Sequence, residues 1–428
     1  MNKKNNIDKI IYVFLLIIMI CIPICKSLSY VSALINFNAR FILKLRAYFL
    51  WISIIFMLTI YLYSVISKKK KINYVDYIFY ILIFLGIIST IFALDFKKSL
   101  FGEINRYEGL LTLISYYLIT LNAKNLDTEK YKKNILKVFL CLGIIQSIIG
   151  IMQVLSNNSY IKRFPISYMA MGLCSNPNFY GSYVSMLLSI STVYFIQNRE
   201  IKSLLLCVLF SMNLYLAGST GPMLGFAISF IFISILLRKK IKRILAILLV
   251  ILLSFNISDN LLFYYQKNVN NIDIVNKYNI KNDVKDTYNN ITSGDEKKIE
   301  KIGSGRLKLW KDCMPLIKKY WLTGAGIDNF KDAYPQTGRI QFDKAHNVYL
   351  QMAITNGIFA LLAYCFLCLI IFLKGIKFNK TFYIALYMAF VTYCIQAFAN
   401  ISVLDVAPYF YLIMGLLCSK IKTIKIKK

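Results

Sequence analysis

Long apolar runs with little or no charge, separated mostly by short polar connections, make up about half of the chain. They fall at residues 10–25, 47–66, 75–94, 110–121, 135–155, 179–197, 203–217, 223–237, 244–255, 348–373, 382–400 and 406–418. A helical run near 20 residues crosses the ~30 Å hydrocarbon core of a bilayer with its backbone groups bonded internally. The pattern predicts an all-α polytopic membrane protein of about 12 transmembrane helices. The first run has the basic start of a secretory signal, but no A-x-A-like cleavage site follows, so it reads as a retained helix.

Composition agrees with this reading. Of the 428 residues, 58% are hydrophobic, and the mean hydropathy is +0.57, too apolar for a soluble domain of this size. A net charge of +31 would suit nucleic acid, but its placement argues otherwise. With the N-terminus inside, the lysine-rich connections 67–71, 130–133, 238–243 and 374–380 and the C-terminal tail all fall on the cytoplasmic side, as the positive-inside rule requires. The basic excess therefore orients the chain. Most of the ten cysteines lie inside apolar runs, where a thiol behaves as a small hydrophobe; Cys365 and Cys368 form a C-x-x-C with no partner pair, and no metal site is expected.

One connection differs from the rest. Residues 258–345 separate the ninth and tenth runs and carry 11 of the 20 acidic residues beside 15 basic ones. After an odd number of crossings this loop is outside. It divides the chain into helices 1–9 (1–257), an extracytoplasmic catalytic loop (258–345), and helices 10–12 with a basic tail (346–428). The first half of the loop is rich in Asn and Lys and weakly periodic. Further on, Leu307, Trp310, Met314, Ile317 and Trp321 recur every three or four residues, with Lys308, Lys311, Lys318 and Lys319 mostly opposite. That spacing predicts a short amphipathic helix at the membrane interface, with Pro315 bending or restarting it. A glycine turn at Gly324 and Gly326 follows.

Among the cations predicted outside, Arg106, Lys162, Arg163, Arg306, Arg339 and Lys344 are the candidates for a site near the outer ends of the spans. Arginines gathered there suit a bidentate grip on a diphosphate; taken singly, each equally suits a headgroup contact. His346, the only histidine, lies where the loop meets the tenth run. An imidazole near its ordinary pKa of roughly 6.5 suits a general base; the alternative is a structural role, capping the helix or bonding a carbonyl. Asp343 either orients the ring or caps that helix.

Four stretches carry a family resemblance. "GEINRYEGLLT" (102–112), "SNPNFYGSY" (175–183), "GSGRLKLWKDCMPLIKKYWLTGAGIDNF" (303–330) and "HNVYLQMAITNGIFALL" (346–362) occur in this order around the long loop. Together they resemble the O-antigen ligase and O-antigen polymerase superfamily of bacterial membrane glycosyltransferases. The resemblance implies a GT-C-like helical bundle in the bacterial cytoplasmic membrane with its site on the outer face. It implies inverting transfer of a glycan from a polyisoprenyl (undecaprenyl) diphosphate to a hydroxyl on a glycan, lipid or protein, with no cofactor, metal or nucleic acid. His346 would be catalytic. Arg106, Arg163, Arg306, Arg339, Lys344 and Asn347 would bind diphosphate and glycan, supported by Trp310, Asn176, Asn178 and Asp343. One departure stands out: the family often has Ser-Arg-Gly where this chain has Ser219-Thr220-Gly221, so Arg163 or Arg339 is the expected replacement. The competing function is a multi-span exporter or flippase of lipid-linked sugars. The absence of an internal repeat and of ionisable residues mid-span lowers that reading.

Overall fold

The computed structural model describes residues 3–34, 39–68, 70, 72–104, 106–155, 169–267, 302–335 and 342–421. All regular structure among them is helical: α1 (Lys3–Leu34), α2 (Ala39–Lys68), α3 (Tyr74–Ile91), α4 (Phe96–Phe101), α5 (Leu110–Asn125), α6 (Glu129–Leu155), α7 (Pro177–Asn198), α8 (Ile201–Leu216), α9 (Thr220–Leu236), α10 (Ile241–Lys267), α11 (Ile302–Lys319), α12 (Phe330–Ala333), α13 (Val348–Thr355), α14 (Ile358–Gly375), α15 (Thr381–Gln396) and α16 (Ala407–Cys418). Eight described helices are long and apolar enough to cross a membrane, and α8, α9 and α16 are shorter apolar helices. With α5 these account for the twelve runs. The 16 residues of α5 span only about 24 Å. The short helices α5 and α16 sit almost wholly inside the bundle, where neighbours rather than lipid set their length.

Burial sorts the helices into an inner and an outer set. α7 is buried along nearly its whole length and packs on α8, α9 and α15. Its serines Ser182, Ser185 and Ser189 are small enough for close helix approach. Ser182 donates to Gln396 Oε1 (2.8 Å), and Ser189 meets Thr392 at 2.7 Å. Outer helices such as α2, α3 and α10 turn Ile, Leu and Phe outward, as lipid-facing surfaces do.

Polar contacts tie the bundle at its two ends. At one end Lys68 pairs with Asp8, Lys70 with Asp127 (2.8 Å) and Lys124 with Asp76; Lys132 donates to Ser419 (3.0 Å) and Arg243 to the Gln197 carbonyl (2.9 Å). The basic connections predicted to alternate thus gather on one face, as the positive-inside pattern demands. At the opposite end Arg46 pairs with Asp405, and Asp405 accepts from Ser175 N (2.9 Å) and Oγ (2.8 Å).

Three features differ from the sequence expectation. The loop expected from residue 258 begins as helix, because α10 runs on to Lys267 and Tyr215 holds it by donating to Asp259 (2.5 Å). The tenth run is two helices, α13 and α14, broken at Asn356 and Gly357 (φ +86°). The glycine turn of the loop fills the break. Ala325 and Gly326 N–H donate to the carbonyls of Ile354 (2.8 Å) and Thr355 (3.1 Å), and Trp321 O accepts from Ile358 N (2.8 Å). Backbone groups freed by the break are thereby bonded again, which a low-dielectric setting requires. The approach is so close that a Cβ on Gly324 would lie 2.3 Å from Thr355 O.

The third difference concerns α11, which runs unbroken through Pro315. Its packed stripe is Leu309, Cys313 and Leu316, one step round from the stripe expected, with Trp310 and Ile317 at its margin. Leu307, Met314 and Trp321 face outward beside the lysines, a surface suited to the membrane interface.

Candidate active site

The end opposite the basic face gathers most of the candidate residues. Residues 102–104 and 106–109 form a tight turn entering α5. Gly102 has φ +93°, and a Cβ there would lie 2.4 Å from Glu108 N, so only glycine closes the turn. Thr112 Oγ1 donates to Tyr107 O (2.5 Å) and fixes the turn to its helix. Arg106 projects from it over the ring of Phe179, 5.9 Å from the centroid. Its Nε and Nη2 both donate to Asp343 Oδ2, at 2.8 and 2.6 Å.

Residues 342–347 bring the imidazole to this point. Ala345 is clamped on both sides: its carbonyl accepts from Trp310 Nε1 (3.0 Å) and its N–H donates to Gln351 Oε1 (2.8 Å). Asn347 caps α13, accepting from the N–H groups of Tyr349 (2.9 Å) and Leu350 (3.0 Å). Between these anchors His346 adopts φ +49°, an uncommon and strained backbone for a residue with a Cβ. Asn347, then, is the cap, rather than His346 or Asp343. The His346 side chain makes no hydrogen bond among the described residues, and it is half-buried. The H-N-x-Y-L-Q stretch is a mounting in which Asn and Gln hold the backbone on either side of the histidine.

Electrostatics at the ring depart from the sequence expectation. Burial first, then Arg306, Arg106 and Lys344, push the imidazole down to about 4, while Asp343 acts the other way. The ring is therefore neutral throughout the neutral range, rather than poised near its ordinary value. Burial pushes the Asp343 carboxyl up, but Arg106, Lys344 and His346 outweigh it and hold it below the usual range. Arg306, half-buried near the start of α11, makes no ion pair among the described residues, and burial lowers its pKa. Lys344 is buried and paired with Asp328. Asp328 (φ +61°) also accepts from Glu103 N (2.7 Å).

Other sequence candidates divide. Asn176 caps α7 by accepting from Asn178 N (2.8 Å), and Asn178 Oδ1 accepts from Ser219 (2.6 Å). These two set the start of the helix that carries Phe179 and do not themselves bond the histidine segment. Thr220 opens α9 beside them. Arg163 and Arg339 lie outside the described residues. Sequence reasoning missed Asp328 and Glu108. Tyr116 donates to Glu108 Oε1 (2.5 Å), and burial pushes that carboxyl up, with Lys344 opposing. The only available signal was that each adjoins a motif already noted, "NRYEG" and "GIDNF".

Neither the curated proteins nor the solved structures include a match to the chain. The family model described as O-antigen ligase matches residues 205–365, a stretch containing Arg306, Trp310, Asp328, Asp343 and His346 but not Arg106. Residues 205–365 are thus similar to the O-antigen ligase family, in keeping with the superfamily resemblance read from the sequence motifs.

Proposed function

We propose that the protein transfers a glycan from a polyisoprenyl diphosphate to a hydroxyl acceptor at the outer face of the cytoplasmic membrane, as a ligase or a polysaccharide polymerase. The observation that carries this reading is a neutral imidazole, with no hydrogen bond among the described residues, held near the Arg106 and Arg306 guanidinium groups. A lipid diphosphate is a dianionic or trianionic leaving group held at the membrane surface. Arg106 and Arg306 are suited to receive it, since a guanidinium fork matches two phosphate oxygens at once.

In the step proposed, the acceptor hydroxyl attacks the anomeric carbon and its oxygen forms the new glycosidic bond. The bond from that carbon to the phosphate oxygen breaks, and its electron pair leaves with the diphosphate. The hydroxyl proton passes to His346. A single displacement of this kind inverts the anomeric centre. At neutral pH the base is already deprotonated, and the incoming diphosphate offsets the cations that weaken it. Its affinity for a proton thus rises when the donor is bound. Lys344, committed to Asp328, contributes fixed positive charge beneath the site rather than a phosphate contact. Arg163 and Arg339 remain proposed diphosphate ligands, and residues 258–345 the proposed catalytic loop.

The test uses the purified full-length chain, a lipid-linked oligosaccharide and an acceptor, in the presence of a metal chelator. Release of polyisoprenyl diphosphate with formation of the glycosidic product is expected. Movement of the intact donor across the membrane with no bond cleaved would favour the exporter, and an absolute metal requirement would remove the mechanism above.

A further inference from the structure

Arg106 does not present an open guanidinium. Two of its N–H groups converge on one carboxylate oxygen of Asp343, the arrangement that an arginine offers equally to a phosphate oxygen. The pair remains within reach of water, with Arg106 28% and Asp343 36% exposed. Lys344 and Asp328, by contrast, are 6% and 1% exposed. Separating that second pair would strand a buried charge, whereas a pair partly open to water is held less strongly and exchanges more readily. Asp343 also lies three residues before His346, on a non-helical segment anchored at Ala345 and Asn347.

From this geometry we infer that Asp343 stands in for the donor's phosphate on Arg106, is displaced by the incoming diphosphate, and then turns its freed carboxylate toward His346. The inference rests on the diphosphate-dependent reading above and adds a positioning residue to it. The groups that face the ring come from three places: Arg306 on α11, Arg106 on the turn before α5, and Asp343 and Lys344 on its own segment. While Arg106 is bonded to Asp343, the carboxylate is directed at the guanidinium, and burial together with the cations keeps the ring a weak base. Once a diphosphate covers Arg106, the carboxylate is available to steady the imidazolium that forms during transfer. The base then strengthens when a donor is seated, and acceptor hydroxyls are not activated without one.

The full-length chain in lipid nanodiscs, with Asp343→Asn, tests this. The probes are undecaprenyl diphosphate and inorganic pyrophosphate, the latter separating diphosphate recognition from lipid-chain binding. The variant should bind both probes about 2–5-fold more tightly, the scale of one exposed ion pair removed. Its KM for donor should fall while kcat drops about 10-fold or more, with the acid limb of the profile moving to lower pH. Asp343→Glu should restore much of kcat. Unchanged or weaker probe binding by Asp343→Asn would overturn the exchange and leave Asp343 a scaffold residue. A structure of the wild-type chain with undecaprenyl diphosphate bound decides the same point without any variant, since persistence of the Arg106–Asp343 bond would also overturn it. If the wild-type chain binds neither probe, the diphosphate reading of the site fails first and the exchange falls with it.

Discussion

Trp310→Phe perturbs the mounting of His346 without emptying the space beneath it. The substitution keeps an aromatic ring on α11 but removes the Nε1–H that bonds the buried Ala345 carbonyl at 3.0 Å. A left-handed backbone at a non-glycine residue costs roughly 1–3 kcal/mol. Three anchors oppose that cost at His346: the Trp310 bond, the Gln351 bond and the Asn347 cap. Each contributes about 1 kcal/mol net, so together they only modestly exceed the strain. Loss of one brings the balance near zero, and other backbone conformations of residue 346 become populated. A displacement of about 1 Å at a catalytic group costs around 100-fold in rate. Transfer from a lipid-linked donor should thus fall 10- to 100-fold, on the same scale, while the thermal unfolding midpoint of the full-length chain moves little. Gln351→Leu should behave in the same way. Wild-type transfer rates in Trp310→Phe would refute the reasoning, because the histidine would then hold its position without the clamp.

Three further outcomes follow from the structure. Because His346 must be neutral to accept a proton and is held down to about 4, kcat/KM should stay flat from pH 8 to about pH 5 and fall only as pH approaches 4; a limb near pH 6.5 would show that burial and the flanking cations do not hold the ring down. Asp328→Asn leaves the Lys344 ammonium buried without its carboxylate and should cost about 3–5 kcal/mol of stability, read as a large drop in thermal midpoint, with Asp328→Leu/Lys344→Met recovering most of it; a midpoint unchanged in the single variant would contradict the burial argument. On a cysteine-free background, a cysteine at Asn282 should label from outside and one at Lys425 should not, and the reverse pattern would invert the topology.

The spans were legible because crossing lipid requires long apolar runs, and few other demands produce them. The break between α13 and α14 was not, since Asn356 and Gly357 interrupt an otherwise apolar stretch and the groups that fill the gap, Ala325 and Gly326, lie some thirty residues earlier. The amphipathic character of α11 was readable, but not which of two adjacent apolar stripes faces the protein; that depends on the partner surface of α13. His346 stood out as the lone imidazole, and Arg106 and Arg306 as arginines within the motif stretches predicted outside. The pairing of Arg106 with Asp343, 237 residues apart in the chain, has no local signature. Nor does the burial that separates Lys344, fixed by Asp328, from the more exposed Arg106. Glu108 and Asp328 escaped notice because an acidic residue in a loop is ordinary until the fold encloses it.

The account depends most on His346 as the proton acceptor, and the direct measurement is the transfer rate of His346→Ala with donor binding followed in parallel. A cap is ruled out as its main task by Asn347, which fills that role. Loss of a general base should lower the rate about 10²–10⁴-fold, with undecaprenyl diphosphate still bound and the chain still inserted and folded. Near-normal transfer by His346→Ala between pH 6 and 8 would contradict the account.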